Sequence, residues 1–305
     1  MSKSNLHAVY GRPPVELVDF PDGGLQTSPR VPGATLLGDV DPASLDSLVI
    51  YAPENTLERQ YVLAQALLAV KPHGFLFALA PKTKGGARLA KELAAFGCNV
   101  EASHRSHHRI AACQRPVEMM GIDEALVKGA PRYDADLGFW TQPGLFSWNR
   151  IDPGSALLLR HLPVLEGVGA DLGCGYGGLA RAIIAAGRCR KLTLIDTDCR
   201  ALDMAMRNTG PEAIERVWAD IRTFDKSLVG LDFVVMNPPF HEGGKEDRTL
   251  GRTFIVKAAE MLRPAGILWL TANRHLPYED VLNQAFTHVE QITQEQGYKI
   301  YMARK

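Results

Sequence analysis

The sequence predicts an α/β fold in two domains, a smaller one over residues 1–130 and a larger one over 131–305. Three observations predict it. Short apolar runs of strand length alternate with helix-length segments along most of the chain, the pattern of sheets covered by helices. In the second half, a strand-like run ends in Asp171, opens into alternating glycines and continues as a helical pattern. That is the strand–loop–helix unit of a doubly wound sheet. Several segments of the first half also recur near the C-terminus at nearly constant spacing, so the smaller domain reads as a reduced copy of part of the larger.

Composition narrows the class. The chain has 305 residues, 46% hydrophobic and 22% charged, which suits two ordinary globular cores. No apolar run approaches the ~18–20 residues that span a bilayer. Residues 1–5 lack an apolar signal region, so a cytoplasmic location without a membrane partner is expected. The five cysteines, at 98, 113, 174, 189 and 199, form no C-x-x-C pair and read as reduced thiols, not a disulfide or zinc framework. A formal net charge of +0 leaves room only for a local nucleic-acid surface.

From the N-terminus, residues 1–30 are rich in Pro, Gly and Asp and read as an irregular arm. Thr35-Leu36-Leu37 and Leu48-Val49-Ile50-Tyr51 are strand-like, and Leu57 to Val70 has helical apolar spacing. Lys71-Pro72-His73-Gly74 makes a turn before a buried strand from Phe75 to Ala80. Ala87 to Phe96 is a helix stopped by Gly97, and Val100–Ser103 with Arg109–Cys113 is a terminal strand pair. Val117 to Lys128 reads as a short helix, and Phe139 to Gly144 as a loop with exposed aromatics. Asp152 and Ser155 stand where the next helix begins, so one of them caps it.

The chemistry is concentrated in residues 168–240. Gly173, Gly175 and Gly177 allow a tight turn and close approach to a ligand. A nucleotide-phosphate loop is the alternative, but the glycine spacing matches it only in part. Asp171 just before the first glycine suits an ammonium better than a phosphate. S-adenosylmethionine (SAM) carries an ammonium and a sulfonium and no phosphate. Asp196, at the end of the next apolar run, is placed to grip ribose hydroxyls, and Asp220, after a third run, to accept from an adenine amino group.

A second motif, Asn237-Pro238-Pro239-Phe240, follows the strand-like run 232–236 and resembles motif IV of class I SAM-dependent methyltransferases that modify exocyclic or amide nitrogens; a Pro-Pro loop that merely ends the strand is the alternative. The Asn237 side-chain oxygen and the Pro238 carbonyl can accept the two N–H groups of an amide-like nitrogen and aim its lone pair at a methyl group. Phe240 offers a stacking face worth about 1–3 kcal/mol, with Pro239 beside the substrate. His241 is a possible proton acceptor after transfer, or a surface residue.

The repeat now has content. Leu48–Pro53 aligns with Phe233–Pro238, Lys71–Gly74 with Arg263–Gly266, Ala95-Phe96 with Ala285-Phe286, and Arg109-Ile110 with Lys299-Ile300. Chance similarity is the bland alternative. On the repeat reading the first half of the copied unit is missing, there is no glycine cradle, and Ala52-Pro53-Glu54-Asn55 replaces the clamp. The smaller domain is therefore expected to be structural or substrate-binding. Between residues 82 and 115 seven basic residues, among them Lys82, Arg105 and Arg109, face two acidic ones. This is either a phosphate-contacting RNA patch or a solvated face. His104, His107 and His108 add stackable groups, but nothing completes a metal site with them, and no metal is expected.

The residues Phe146-Ser147, Asp152-x-Gly154-Ser155-x-Leu157-Leu158-Leu159, Asp171-x-Gly173-Cys174-Gly175 and Asn237-Pro238-Pro239-Phe240-His241 together resemble the methyltransferase-small domain, and more narrowly the ribosomal RNA small-subunit guanine-N2 methyltransferases. The resemblance implies a class I SAM-dependent methyltransferase with a Rossmann-like, seven-stranded mixed sheet, preceded by a related domain that has lost its cofactor site. It implies SAM as cofactor, rRNA or the small ribosomal subunit as partner, and a monomer. Asp171, Gly173, Gly175, Gly177, Asp196, Asp220 and Asn237 would hold the cofactor; Asn237, Pro238 and Phe240 would act on the base. A glutamine-amide or adenine-N6 methyltransferase, or a non-catalytic SAM-binding RNA assembly factor, are the alternatives.

Overall fold

The computed structural model describes residues 6–18, 23–224, 228–239, 241–242, 245–246 and 248–305, the side chains of 241–248 excepted. The chain divides into two compact units. Unit 1 comprises Met1–Pro131 with Gln142–Gly144, and unit 2 comprises Arg132–Thr141 with Leu145–Lys305.

Unit 1 is a six-stranded sheet. Its strands are β1 (His7–Tyr10), β2 (Leu25–Thr27), β3 (Leu45–Tyr51), β4 (Val70–Pro81), β5 (Val100–Arg105) and β6 (His108–Gln114), in the order β2-β1-β3-β4-β6-β5. The first four run parallel, and β6 is antiparallel to both neighbours. Helices α1 (Thr56–Ala69), α2 (Leu89–Ala95) and α3 (Ile122–Gly129) accompany it. The expected irregular arm is corrected: it supplies β1 and β2, segments of 4 and 3 residues, too short to show a period and held by pairing with β3. The expected strand at 35–37 is only an isolated bridge from Thr35 to Thr27, followed by a 3-10 turn.

Asn55 is the N-cap of α1, its side chain accepting from the Leu57 and Glu58 N–H groups. Leu63, Leu67 and Val62 pack against Leu48, Ile50 and Leu76, all almost wholly buried. Each such side chain contributes about 1.5–3 kcal/mol. Arg59 is also buried. It makes a two-point ion pair with Glu92 (2.7 Å each) and donates to the carbonyls of Pro53 (3.1 Å) and Glu54 (2.8 Å).

Unit 2 opens with a hairpin, β7 (Arg132–Asp134) and β8 (Phe139–Thr141). The expected aromatic loop at 139–144 is thus corrected. Phe139 and Trp140 lie in a strand, half-buried, with the Arg181 and Arg207 guanidinium groups 4.7 Å from their ring centres. Then follow α4 (Pro153–His161), β9 (Gly167–Leu172), α5 (Gly178–Ala185), β10 (Cys189–Asp196), α6 (Cys199–Thr209), β11 (Ile214–Trp218) and β12 (Leu231–Met236). A two-residue strand pair, β13 (His241–Glu242) and β14 (Lys245–Glu246), precedes α7 (Arg248–Met261), β15 (Leu262–Asn273), α8 (Glu279–Ala285), β16 (His288–Glu295) and β17 (Tyr298–Arg304).

The main sheet of unit 2 is seven-stranded and mixed, in the order β11-β10-β9-β12-β15-β17-β16. Side chains of a strand alternate between faces, and β12 shows it. Val234 and Met236 join α7 and α8 in one core, while Phe233 and Val235 join α4, α5 and α6 in the other. Removing β11 from this order leaves the order of unit 1, with β3 standing for β12 and β1 for β9. The first half of the repeated sheet is therefore reduced, not missing. Among the described residues no helix is long and apolar enough to cross a membrane, and all five cysteines are free.

Candidate active site

In a parallel sheet the loops after the strands gather over their C-terminal ends, where ligands bind. Here the loops after β9 and β12 meet the start of α4, and the end of β10 is bonded to the loop after β9. After β9 the chain turns through Gly173, Gly175 and Gly177 at φ of 72°, 54° and 84°. At Gly177 a Cβ would also stand 2.8 Å from the Cα of Ala205, so both backbone and space require glycine. The Gly173 and Cys174 N–H groups donate to the Ile195 carbonyl (2.8 and 3.3 Å), which ties the cradle to β10.

Asp171 is 1% exposed, and neither carboxylate oxygen has a hydrogen-bonded partner. Burial above all, then the charge of Asp196, pushes its pKa up to about 8, and the nearby Ala180 amide offsets only part of this. Asp196 is pushed up to about 6, mainly by burial, although it accepts from the Asp198 and Gly175 N–H groups (2.9 Å each). A buried, unpaired carboxylate is unfavourable unless a cation meets it. Asp171 therefore fits a ligand that brings positive charge, and Asp196, already held by two amides, fits one that brings hydroxyls, as SAM would.

A cavity brings Asp171, Gly173, Gly175 and Asn237 together with Asp152 and Ser155; Phe146 and Tyr176 also line it. Asn237 follows β12. Its Nδ2 donates to Asp152 Oδ2 (2.8 Å) and to Ser155 Oγ (2.9 Å). Pro238 is buried and Pro239 exposed, the Pro239 ring coming within 3.8 Å of where a Gly173 Cβ would stand. Phe240 and the His241 side chain lie outside the described residues.

Asp196 joins the site through the Gly175 N–H but does not line the cavity. Asp220 is further removed. Both its oxygens accept from the Arg222 guanidinium (2.6–3.0 Å), and its loop is linked to Asp196 by the Ala219 N–H (3.1 Å). Asp152 and Ser155 were legible as a helix cap but not as partners of Asn237, because 85 residues separate Asp152 from it. In unit 1, Lys82, Arg105 and Arg109 do share one end of the sheet. Arg109 lies opposite His104 and beside Ala80, Arg105 lies opposite His108, and the Lys82 N–H donates to the His107 carbonyl (3.0 Å). Lys82 and Arg105 are exposed and Arg109 half-buried. No group of three metal-ligating side chains occurs among the described residues.

Known proteins share both sequence and fold with this chain. Residues 136–302 match the methyltransferase small domain family. Ribosomal RNA small subunit methyltransferase C of Pseudomonas paraeruginosa is 31% identical over 287 residues, covering 92% of this chain and 86% of that protein. The enzyme of the same name from Aeromonas hydrophila is 30% identical, covering 85% and 77%. The solved structure of the T. thermophilus 16S rRNA N2 G1207 methyltransferase, in complex with AdoMet and guanosine, superposes with a TM-score of 0.80 at 23% identity over 100% of this chain and 89% of that one. A glycine cradle with an unpaired acid, an Asn-Pro-Pro clamp on the same sheet edge, and similarity over nearly the full length agree: the chain belongs to the methyltransferase small domain family, among the ribosomal RNA small subunit methyltransferases C.

Proposed function

We propose that this chain is a SAM-dependent N-methyltransferase that modifies the exocyclic N2 of a guanine in 16S ribosomal RNA. The observation that carries the reading is the pairing of an unpartnered buried Asp171 with an Asn237 whose amide nitrogen is already engaged by Asp152 and Ser155. It is supported by the relatives' name and by the guanine-N2 activity of the T. thermophilus enzyme.

Bound SAM supplies an electrophilic methyl group on a sulfonium. Asp171 would meet its ammonium, Gly173, Gly175 and Gly177 would let the backbone approach, Asp196 would accept from the ribose hydroxyls and Asp220 would lie toward the adenine end. The guanine must leave its stack to enter. Asn237 Oδ1 and the Pro238 carbonyl then accept its two N2–H groups, which turns the nitrogen lone pair toward the methyl carbon. With SAM bound there, the methyl group would pass to the nitrogen as the C–S bond breaks, and the nitrogen would shed one proton to solvent. Phe240 stacks on the base, with Pro239 alongside. Positioning of this kind contributes up to roughly 7–11 kcal/mol in the best intramolecular cases. Unit 1 contributes Lys82, Arg105 and Arg109 as phosphate contacts, and the enzyme works as a cytoplasmic monomer on rRNA or the small subunit.

The test is turnover with methyl-labelled SAM on naked 16S rRNA and on small subunits from cells lacking the enzyme, followed by nucleoside mass analysis. N2-methylguanosine is expected. Label in N6-methyladenosine or in protein would assign the clamp to another nitrogen, and SAM binding with no label anywhere would make the protein a non-catalytic assembly factor.

A further inference from the structure

We infer that Asp152 and Ser155 are positioning residues for methyl transfer, holding the Asn237 amide so that its oxygen, not its nitrogen, meets the reacting amine. This rests on the methyltransferase reading above. An asparagine amide is nearly symmetric in shape, and a half-turn about its terminal bond exchanges an acceptor for a donor. With the nitrogen forward, two N–H donors would face each other across the site and the target lone pair would lose its aim. Something must fix the sense of the amide, and the partners do so. An aspartate carboxylate only accepts, so the Asn237 atom 2.8 Å from Asp152 Oδ2 is the nitrogen, and the oxygen lies on the other side. Ser155 Oγ, at 2.9 Å, receives the second amide hydrogen.

The anchor has little slack. Asp152 is 7% exposed, and the same Oδ2 caps α4 by accepting from the Ser155 N–H at 2.8 Å. Pro153 starts the helix, and Gly154 lies so close to the Tyr298 ring that a Cβ would come within 2.7 Å of it. Helix cap and clamp thus share one carboxylate oxygen. A residue that acts only through Asn237 should matter to the rate and not to capture of either substrate.

The experiment uses the full chain and compares Asp152→Ser with Asp152→Asn. Serine keeps the helix cap but is too short to reach Asn237. Asparagine keeps an acceptor in both directions. Asp152→Ser should lower kcat about 10²-fold, the scale of a small misplacement of a reacting group, with SAM affinity, RNA KM and melting temperature close to wild type. Asp152→Asn should keep most of the wild-type kcat. Ser155→Ala should lose about fivefold, one neutral hydrogen bond. Asp152→Ser placed in an Asn237→Ala background should cost nothing further. Wild-type kcat in Asp152→Ser, equal losses in the serine and asparagine variants, or losses that multiply with Asn237→Ala would each overturn the inference while leaving methylation itself intact. A wild-type enzyme that labels another nitrogen would instead overturn the guanine assignment and leave the Asp152→Ser loss in place.

Discussion

Asp171 is buried, and burial together with the nearby charge of Asp196 pushes its pKa up to about 8. Most Asp171 is protonated at neutral pH in the free protein, while an ammonium partner favours the ionised form. SAM binding should therefore release a proton, and affinity should rise with pH from about 6 to 7.5, below the range where an α-amino group deprotonates, with a limit of tenfold per unit. Asp171→Asn should weaken binding and flatten this slope; calorimetry across that range that finds the same slope in both proteins would remove Asp171 from the site. Asp196→Ala should weaken SAM binding more than about tenfold, since charged hydrogen bonds are worth about 1.5–3 kcal/mol each. Asn237→Ala should lower kcat about 10²–10³-fold with SAM affinity nearly unchanged, as for loss of one preorganised transition-state partner. Asp171, Asp196 and Asn237 were legible in the chain because each ends or follows an apolar run. Asp152 was not, because its bond to Asn237 exists only when α4 lies over the end of β12.

The glycine cradle and the buried pair of unit 1 show what single elements tolerate. Gly177 needs positive φ and has no room for a Cβ beside Ala205, so Gly177→Ala should disrupt the cradle and lower SAM affinity, with little change if the loop can shift. Glu92→Ala should destabilise unit 1 by about 3–5 kcal/mol, because it strands the Arg59 guanidinium in the core; a melting curve matching wild type would show that water reaches that site. Reversing the charges of Lys82, Arg105 and Arg109 together should weaken RNA binding and flatten its salt dependence without moving SAM affinity. Unchanged methylation at low RNA concentration would make the patch an ordinary solvated face. Most long elements were readable from periodicity and their stops, for example α1 and β12. The 3- and 4-residue strands at 7–10, 25–27 and 132–141 were not, because pieces so short carry no period and form only against a partner.

At the scale of the molecule, two sheets share one strand order, yet only unit 2 carries the cradle. In unit 1 the Pro53 carbonyl, the counterpart of Pro238, already accepts from Arg59, and Asn55 is spent on capping α1. Titration of the full chain should accordingly find one SAM per chain; two equivalent sites would contradict it. By itself the sequence determined the α/β class, the glycine turn after β9, the Asn-Pro-Pro loop after β12 and the likeness of the two halves, because these depend on local period, turn chemistry and short contiguous motifs. The tertiary structure alone decided that the N-terminal arm belongs to a sheet, that Arg59 donates to the Pro53 carbonyl and that Asp152 and Ser155 accept from Asn237. Most of those contacts join residues far apart in the chain, and only the folded sheet brings them within hydrogen-bonding distance.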